Sequence, residues 1–301
     1  MHDIALSFAM IGVVGSRSER DLTTAVPYTT YWGWSYTTCV QRPKRCGING
    51  IFLLMVLMWA HCPLWGQGKP SATRAKNVVA LVPFVGCKSD GQVGPVKAPS
   101  GRSKTLAVSA EAVQRLAYYK AEEGIGVLAP RGWQCFGTYG SNGATLYLSP
   151  DPINAADLFS TSWKGFAGPA IQMSLEVGDT SGRFAVAKTV ARVFPAHKAF
   201  VQEVIAEGIE PARSFPFGPY PADTLKYRGE NIVEFRTSAQ TEGLGTASRL
   251  QKNDNPINGV AILFGEEASL LQLSVRLPSE TSDLTKLIVE QAEREAAGLR
   301  N

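Results

Sequence analysis

Apolar and polar positions alternate most cleanly over residues 170–177. Ile171, Met173, Leu175 and Val177 fall on one side, and Gln172, Ser174 and Glu176 on the other. A period of two marks a strand with one buried face. The alternation returns at 269–277, where Leu271, Leu273, Val275 and Leu277 interleave with Gln272, Ser274 and Arg276. This strand is predicted to pair with Val260–Phe264 around Gly265-Glu266-Glu267. Thr224–Tyr227 and Asn231–Thr237 form a similar pair around Arg228-Gly229-Glu230. Upstream, Trp133–Tyr139 and Ala144–Leu148 flank Gly140-Ser141-Asn142-Gly143, a hairpin signal. Asn77–Val85 is a continuous apolar run and reads as a buried strand ending at Gly86-Cys87. Lys88–Lys104 is rich in Gly, Pro, Ser and Lys and reads as a long loop. Ile125–Leu128 is a short strand before Pro130.

Helical spacing marks four further segments. Ser109 has the chemistry of an N-cap, Val113, Leu116, Ala117 and Lys120 follow, and Gly124 is a natural stop. Phe184, Ala187, Val190, Ala191 and Phe194 form a stripe that halts at Pro195. Phe200, Val201, Val204 and Ile205 make a second short helix closed by Gly208. Ser282 is expected to cap a final helix carrying Leu284, Leu287 and Ile288. Strands and helices do not alternate regularly, so the pattern predicts α+β rather than a doubly wound sheet. The half-polar strands predict a mostly antiparallel sheet with one face covered by helices. Residues 77–301 read as a single α+β domain, preceded by a polar linker over 69–76.

Residues 51–60 change the picture, because they form an uncharged apolar run, Ile-Phe-Leu-Leu-Met-Val-Leu-Met-Trp-Ala. Arg42, Lys44 and Arg45 lie just upstream, and Gly66 and Gly68 just downstream. A basic start, a short apolar stretch and a small-residue exit are the parts of a secretory signal. The run is shorter than the ~20 residues a membrane-spanning helix needs. The expectation is therefore a signal over 42–68 cut near Gly66 or Gly68, a periplasmic or secreted product, and no stable membrane span after processing. His61 beside Cys62 argues against lipidation. Residues 1–41 carry the reverse charge order around Ile4–Gly15 and are read as an upstream extension or a disordered segment.

Cysteine usage supports an oxidising destination. Of five cysteines, at 39, 46, 62, 87 and 135, only Cys87 and Cys135 follow the expected signal. An even pair in an exported chain predicts a disulfide.

The chemistry that composition allows is narrow. Hydrophobic residues are 45% and charged residues 19%, enough to build a core. Net charge is only +4, with no basic stripe interleaved with aromatics, so no nucleic-acid role is expected. His197 is the lone histidine beyond the signal, which leaves no His-rich zinc site; no metal or cofactor is predicted. Gly-x-Ser-x-Gly and phosphate-binding Gly-Lys-Ser/Thr are absent. Gly124-x-Gly126-x-x-Ala129 follows a helix rather than a strand, and Pro130 blocks the helix a dinucleotide site needs. Carboxylates remain: Glu122-Glu123 at a helix end and Glu266-Glu267 in a hairpin turn, both read as solvated charges, and Asp90, Asp151, Asp157 and Glu176 elsewhere. A glycosidase would need two of them facing across a cleft.

The segment Ala129-Pro130-Arg131-Gly132-Trp133-Gln134-Cys135-Phe136-Gly137-Thr138-Tyr139-Gly140, with Val85-Gly86-Cys87-Lys88-Ser89-Asp90-Gly91-Gln92, resembles a family of uncharacterised secreted bacterial proteins. Pro130-x-Gly132-Trp133, a final hairpin, Leu277-Pro278 and a closing helix resemble the PsbP/Mog1-like sandwich over roughly 120–298. The second likeness is architectural and implies no functional residue.

One region stands out for recognition. A Cys87–Cys135 bond would tie the 87–104 loop to the 131–139 strand. Lys88, Ser89, Asp90, Gln92, Arg131, Trp133 and Tyr139 would then share a rigid base, a setting suited to partner contact. The sequence thus points to a binding or accessory protein that meets a protein or envelope component. The alternative is a hydrolase that uses carboxylates on envelope or extracellular material.

Overall fold

The computed structural model describes residues 78–299. The expected upstream extension, signal and linker lie outside the described residues. The predicted strand over 77–85 is divided at Pro83, which has no N–H to give a ladder. Its first part, β1 (Val78–Val82), leaves Val79 77% and Leu81 62% exposed, while Val82 is buried. Its second part is β2 (Phe84–Gly86). Past Cys87 the chain forms β3 (Lys88–Gly91) within the segment expected to be all loop. The loop proper ends at β4 (Lys104–Val108), which pairs antiparallel with β1 in a two-stranded ribbon.

Ser109 does cap a helix: its Oγ accepts from the Ala112 N–H at 3.2 Å. That helix, α1 (Ala110–Arg115), is six residues long and does not run on to Gly124. Leu116, Ala117, Tyr118 and Tyr119 are all buried, which no one-sided amphipathic helix achieves. They form β5 (Leu116–Lys120) instead, parallel to β2 and antiparallel to β6 (Val127–Pro130). The Tyr119 hydroxyl donates to Pro130 O at 2.8 Å and accepts the Trp133 N–H at 3.1 Å. Tyrosine is a strand former whose polar tip needs a partner when buried, and here it finds two.

The hairpin signals hold. β7 (Gln134–Gly140) and β8 (Gly143–Ser149) pair around Ser141-Asn142. Gly143 sits at φ +138°, and a Cβ there would stand 1.9 Å from Leu175 O. Only glycine permits that approach. A short helix not expected from the sequence, α2 (Ala155–Phe159), is capped by Asn154. Then follow β9 (Ala170–Glu176), α3 (Arg183–Val193) and α4 (Lys198–Ala206). The paired strands β10 (Asp223–Tyr227) and β11 (Ile232–Thr237), then β12 (Ile257–Phe264) and β13 (Ser269–Arg276), complete the sheet. The final helix is α5 (Thr285–Leu299). Ser282 does not cap it. Its Oγ donates to Ser279 O inside a 3-10 turn, Ser279–Leu284, that precedes the helix.

Eight strands form the main sheet in the order β10-β11-β12-β13-β9-β8-β7-β3. Every pairing is antiparallel except the edge pair β3–β7. The result is an α+β arrangement with mostly antiparallel sheets. One face of the main sheet presents Leu146, Leu148, Ile171, Met173, Val260, Ile262, Leu271 and Leu273. These share a core with Ile288, Ala292 and Ala296 of α5 and with the three-stranded sheet β2-β5-β6.

The opposite face differs from expectation, because it too is covered. Val233, Phe235, Ala261, Leu263 and Leu270 pack beneath Val186, Val190 and Phe194 of the α3 segment and Val201 and Val204 of α4. The polar positions of β9 and β13 were expected to meet solvent. Instead Ser174, Gln272, Ser274 and Arg276 are buried, and Gln172 and Glu176 are half-buried.

Candidate functional site

The loop and hairpin singled out in the sequence are joined as expected. Cys87 and Cys135 are disulfide-bonded, with Cα atoms 5.5 Å apart. Cys87 also donates its N–H to Lys120 O, at 2.8 Å. It therefore stands where the chain leaves the three-stranded sheet and enters the main one.

Four of the proposed contact residues gather beyond it. Lys88 is exposed and lies opposite Phe136 in the β3–β7 ladder. Asp90 is half-buried, its Oδ1 accepting the Gly91 N–H at 2.8 Å. Gln92 donates its N–H to Tyr139 O at 3.2 Å. The Tyr139 hydroxyl donates to Gly94 O at 2.6 Å and so pins the loop. Ser89, between them, points inward and is 2% exposed.

Arg131 and Trp133 are not part of that group. They precede β7, and Tyr139 lies six positions beyond Trp133, about 20 Å along an extended strand. Arg131 donates from Nε to Leu116 O at 3.0 Å and from Nη2 to Val113 O at 2.7 Å, closing the end of α1. Trp133 is half-buried against the main core. Both are committed to packing and capping. His197 is equally committed: its Nε2 lies 2.6 Å from Asn231 Oδ1.

A second site emerges on the polar half of the covered face. β9 is followed after a short turn by α3, which returns over it. Between α3, β9 and β13 lies a cavity of about 320 Å³. Gln172, Ser174, Glu176 and Gln272 form its floor, Thr189 and Arg192 of α3 one wall, and Ser248 and Tyr220 part of its border. In the ladder, Gln272 sits opposite Ser174, and Leu270 opposite Glu176. The Gln272 side chain spans the cavity. Its Oε1 accepts the Thr189 hydroxyl and its Nε2 donates to Leu244 O, both at 3.4 Å. Ser174 donates to Gln272 O, also at 3.4 Å. Deeper on the same face, the buried Ser274 Oγ has no hydrogen-bond partner among the described residues.

Charge in the cavity is separated. Glu176 stands at the end nearest the β9–α3 turn. Burial pushes its carboxyl up to about 7, opposed only by the Asn142 side-chain amide donating at 3.4 Å. Lys188 is neutralised by Glu210 at 2.9 Å. Arg192 has no carboxylate partner among the described residues. Its guanidinium donates to Gly218 O at 3.2 Å and stacks over Tyr220, 4.1 Å from the ring centre.

Farther along the same face of β13 stands Arg276, which is 1% exposed. Its guanidinium donates to Gly168 O at 3.0 Å, Phe166 O at 2.6 Å and Gln251 O. These bonds clamp the 166–168 segment to the 249–251 segment, whose Arg249 N–H reaches Gln172 Oε1 at 2.7 Å.

The raised carboxyl makes a testable statement. In the unfolded chain a glutamate titrates near 4.5. Between that value and about 7 the folded protein holds a proton that the unfolded chain has lost, so stability falls as pH rises through this window. The full shift corresponds to roughly 3 kcal/mol, and partial exposure of Glu176 reduces it to the order of 2 kcal/mol. Urea unfolding of Glu176→Gln should therefore show a flatter profile between pH 5 and pH 8 and greater stability at pH 8. Parallel profiles for the two proteins would contradict a buried, proton-retaining Glu176.

The sequence carried one signal for this site, which the alternation alone leaves ambiguous. Gln172, Ser174 and Glu176 look the same whether they face water or a covered cavity; only the position of α3 decides. A larger groove lies elsewhere, about 950 Å³ beside α5 and β10–β12. Most of its charges are already spent on one another, through Lys226–Glu234, Arg228–Glu234 and Lys286–Glu290. Among the described residues, Glu176 is the one carboxylate lining the α3 cavity, and Asp90, Asp151 and Asp157 are not part of it. Among the described residues no cluster of three His, Cys, Asp or Glu could hold a metal ion. Comparison with known proteins matches this chain to no family model, no curated protein and no solved structure, so the functional reading rests on these side chains.

Proposed function

We propose that this chain is an exported binding protein that holds a small polar ligand in the cavity between β9, β13 and α3. The observation that carries the reading is the set of polar side chains enclosed there. Burying polar groups costs free energy unless each finds a partner. On the same face, β11 and β12 carry Val233, Phe235, Ala261 and Leu263, which pack without that cost. Gln172, Ser174, Glu176 and Gln272 break the apolar pattern where they line the cavity beneath α3. The volume falls in the range of small-molecule sites, about 300–1,000 Å³. Export is supported by the apolar run behind Arg42, Lys44 and Arg45 and by the Cys87–Cys135 bond, a pairing favoured in oxidising compartments.

A hydrolase is the second reading, and Glu176 is what favours it. A carboxyl titrating near 7 suits proton transfer at neutral pH. Glycosidase chemistry asks for a second carboxylate across the site, and Glu176 has none beside it in the lining.

The test is a thermal-shift screen with amino acids, short peptides, monosaccharides and nucleosides, run on the wild type and on Ala185→Trp. Ala185 is an exposed residue of the cavity lining, so an indole there is expected to obstruct the cavity from the solvent side. At least one class should raise the wild-type melting temperature and leave the plugged variant unmoved. A panel that shifts neither protein, or both equally, would overturn the reading.

A further inference from the structure

Resting on that reading, we infer that the cavity takes an amphoteric ligand, an amino acid or short peptide with its ammonium end at Glu176 and its carboxylate end at Arg192. The two charges lie at opposite ends of the cavity. Glu176 ends β9 at the turn that leads into α3, and the α3 lining residues Ala185 and Arg192 are seven residues apart, about 10 Å along a helix. Among the described residues, neither charge is cancelled by a salt-bridge partner. Glu176 receives one long bond from Asn142, and Arg192 donates to a backbone carbonyl. Lys188 lies between them but belongs to Glu210.

A ligand of one sign would satisfy one end and be repelled at the other. A ligand with both charges satisfies both ends and leaves the cavity neutral, the complementarity on which specificity rests. The middle is lined by neutral donors and acceptors, Ser174, Gln272 and Thr189, which match the peptide or hydroxyl groups of such a molecule. The volume equals about ten waters at their liquid spacing, which sets the size at roughly ten non-hydrogen atoms. The flat Arg192 guanidinium can grip a carboxylate with two parallel bonds.

The experiment is calorimetric titration with alanyl-alanine, N-acetyl-alanyl-alanine, alanyl-alanine amide and glucose. Alanyl-alanine should bind. Acetylation should weaken binding about tenfold or more by removing the charge for Glu176, and amidation should do the same at Arg192. Glu176→Gln should weaken the free dipeptide while narrowing its lead over the acetylated one. Arg192→Met should likewise narrow its lead over the amide. The blocked ligands probe each end in the unaltered protein, so the test survives a variant that fails to fold. Binding of glucose without the dipeptide would overturn the amphoteric assignment and leave the cavity reading standing. Equal binding of all three dipeptides would also defeat it. Silence from every member of the wider panel would defeat the cavity reading itself.

Discussion

Replacing Arg276 with methionine should destabilise the protein by about 3–5 kcal/mol, the usual cost of removing one partner from a buried charged network. Methionine keeps the apolar stem of the side chain, so the loss comes chiefly from the hydrogen bonds of the missing guanidinium. Phe166 O keeps the Gln251 N–H at 2.9 Å. Gly168 O and Gln251 O lose the donor they have in the folded protein. A buried carbonyl without a donor costs about 1–3 kcal/mol. Burial already depresses the pKa of this guanidinium, yet it is held by carbonyl oxygens rather than by a carboxylate. Arginine is suited to this position because its planar fork reaches several acceptors at once. Arg276→Lys should therefore recover only part of the loss. Urea unfolding at neutral pH measures both, and a loss below about 1 kcal/mol for the methionine variant would show that the clamp contributes little. Ligand affinity should fall alongside, because the Arg249 N–H holds the side chain of Gln172 on the cavity floor.

Breaking the Cys87–Cys135 bond should cost a similar amount. Its two half-cystines are 48 positions apart, and closing a loop of that length stabilises by about 4 kcal/mol in the chain-entropy model. For a domain of this size that corresponds to a drop in melting temperature of roughly 8–16 °C. Melting curves with and without dithiothreitol, together with a Cys87→Ala, Cys135→Ala double variant, should agree on the size of the drop. The effect should be largest near β3, an edge strand held to the main sheet by one parallel ladder. A shift below about 2 °C would mean that the β3–β7 pairing is sufficient without the bond.

What the chain reveals of itself depends on whether local signals and tertiary burial agree. β7 through β13 were legible because alternation, turn residues and pairing partners lie close together. β5 was not: Ser109 starts a helix in earnest, and Leu116 and Ala117 continue its spacing. The decision against the helix is made by β2 and β6, which bury Leu116–Tyr119 from both sides. Pro83 and Lys88–Gly91 misled for a related reason, since a short parallel edge strand has no alternation to display. The disulfide brought Lys88, Asp90, Gln92 and Tyr139 together, but Arg131 and Trp133 answer to α1 and the core. The cavity was legible only as polar residues on strands, since their burial depends on how α3 turns back after β9.

The position of Cys87 also governs how the protein would respond to tension. A pull on β1 first peels the ribbon from β4 and then lifts β2 from β5. At Cys87 the load passes through sulfur into Cys135 and so directly into β7. Residues 88–134 lie off the line of force and cannot be drawn out while the bond is intact, which withholds about 160 Å of extension. The bond acts as a mechanical stop, shielding β3, the pinned loop, α1 and the three-stranded sheet's other two strands from strain that enters at that end.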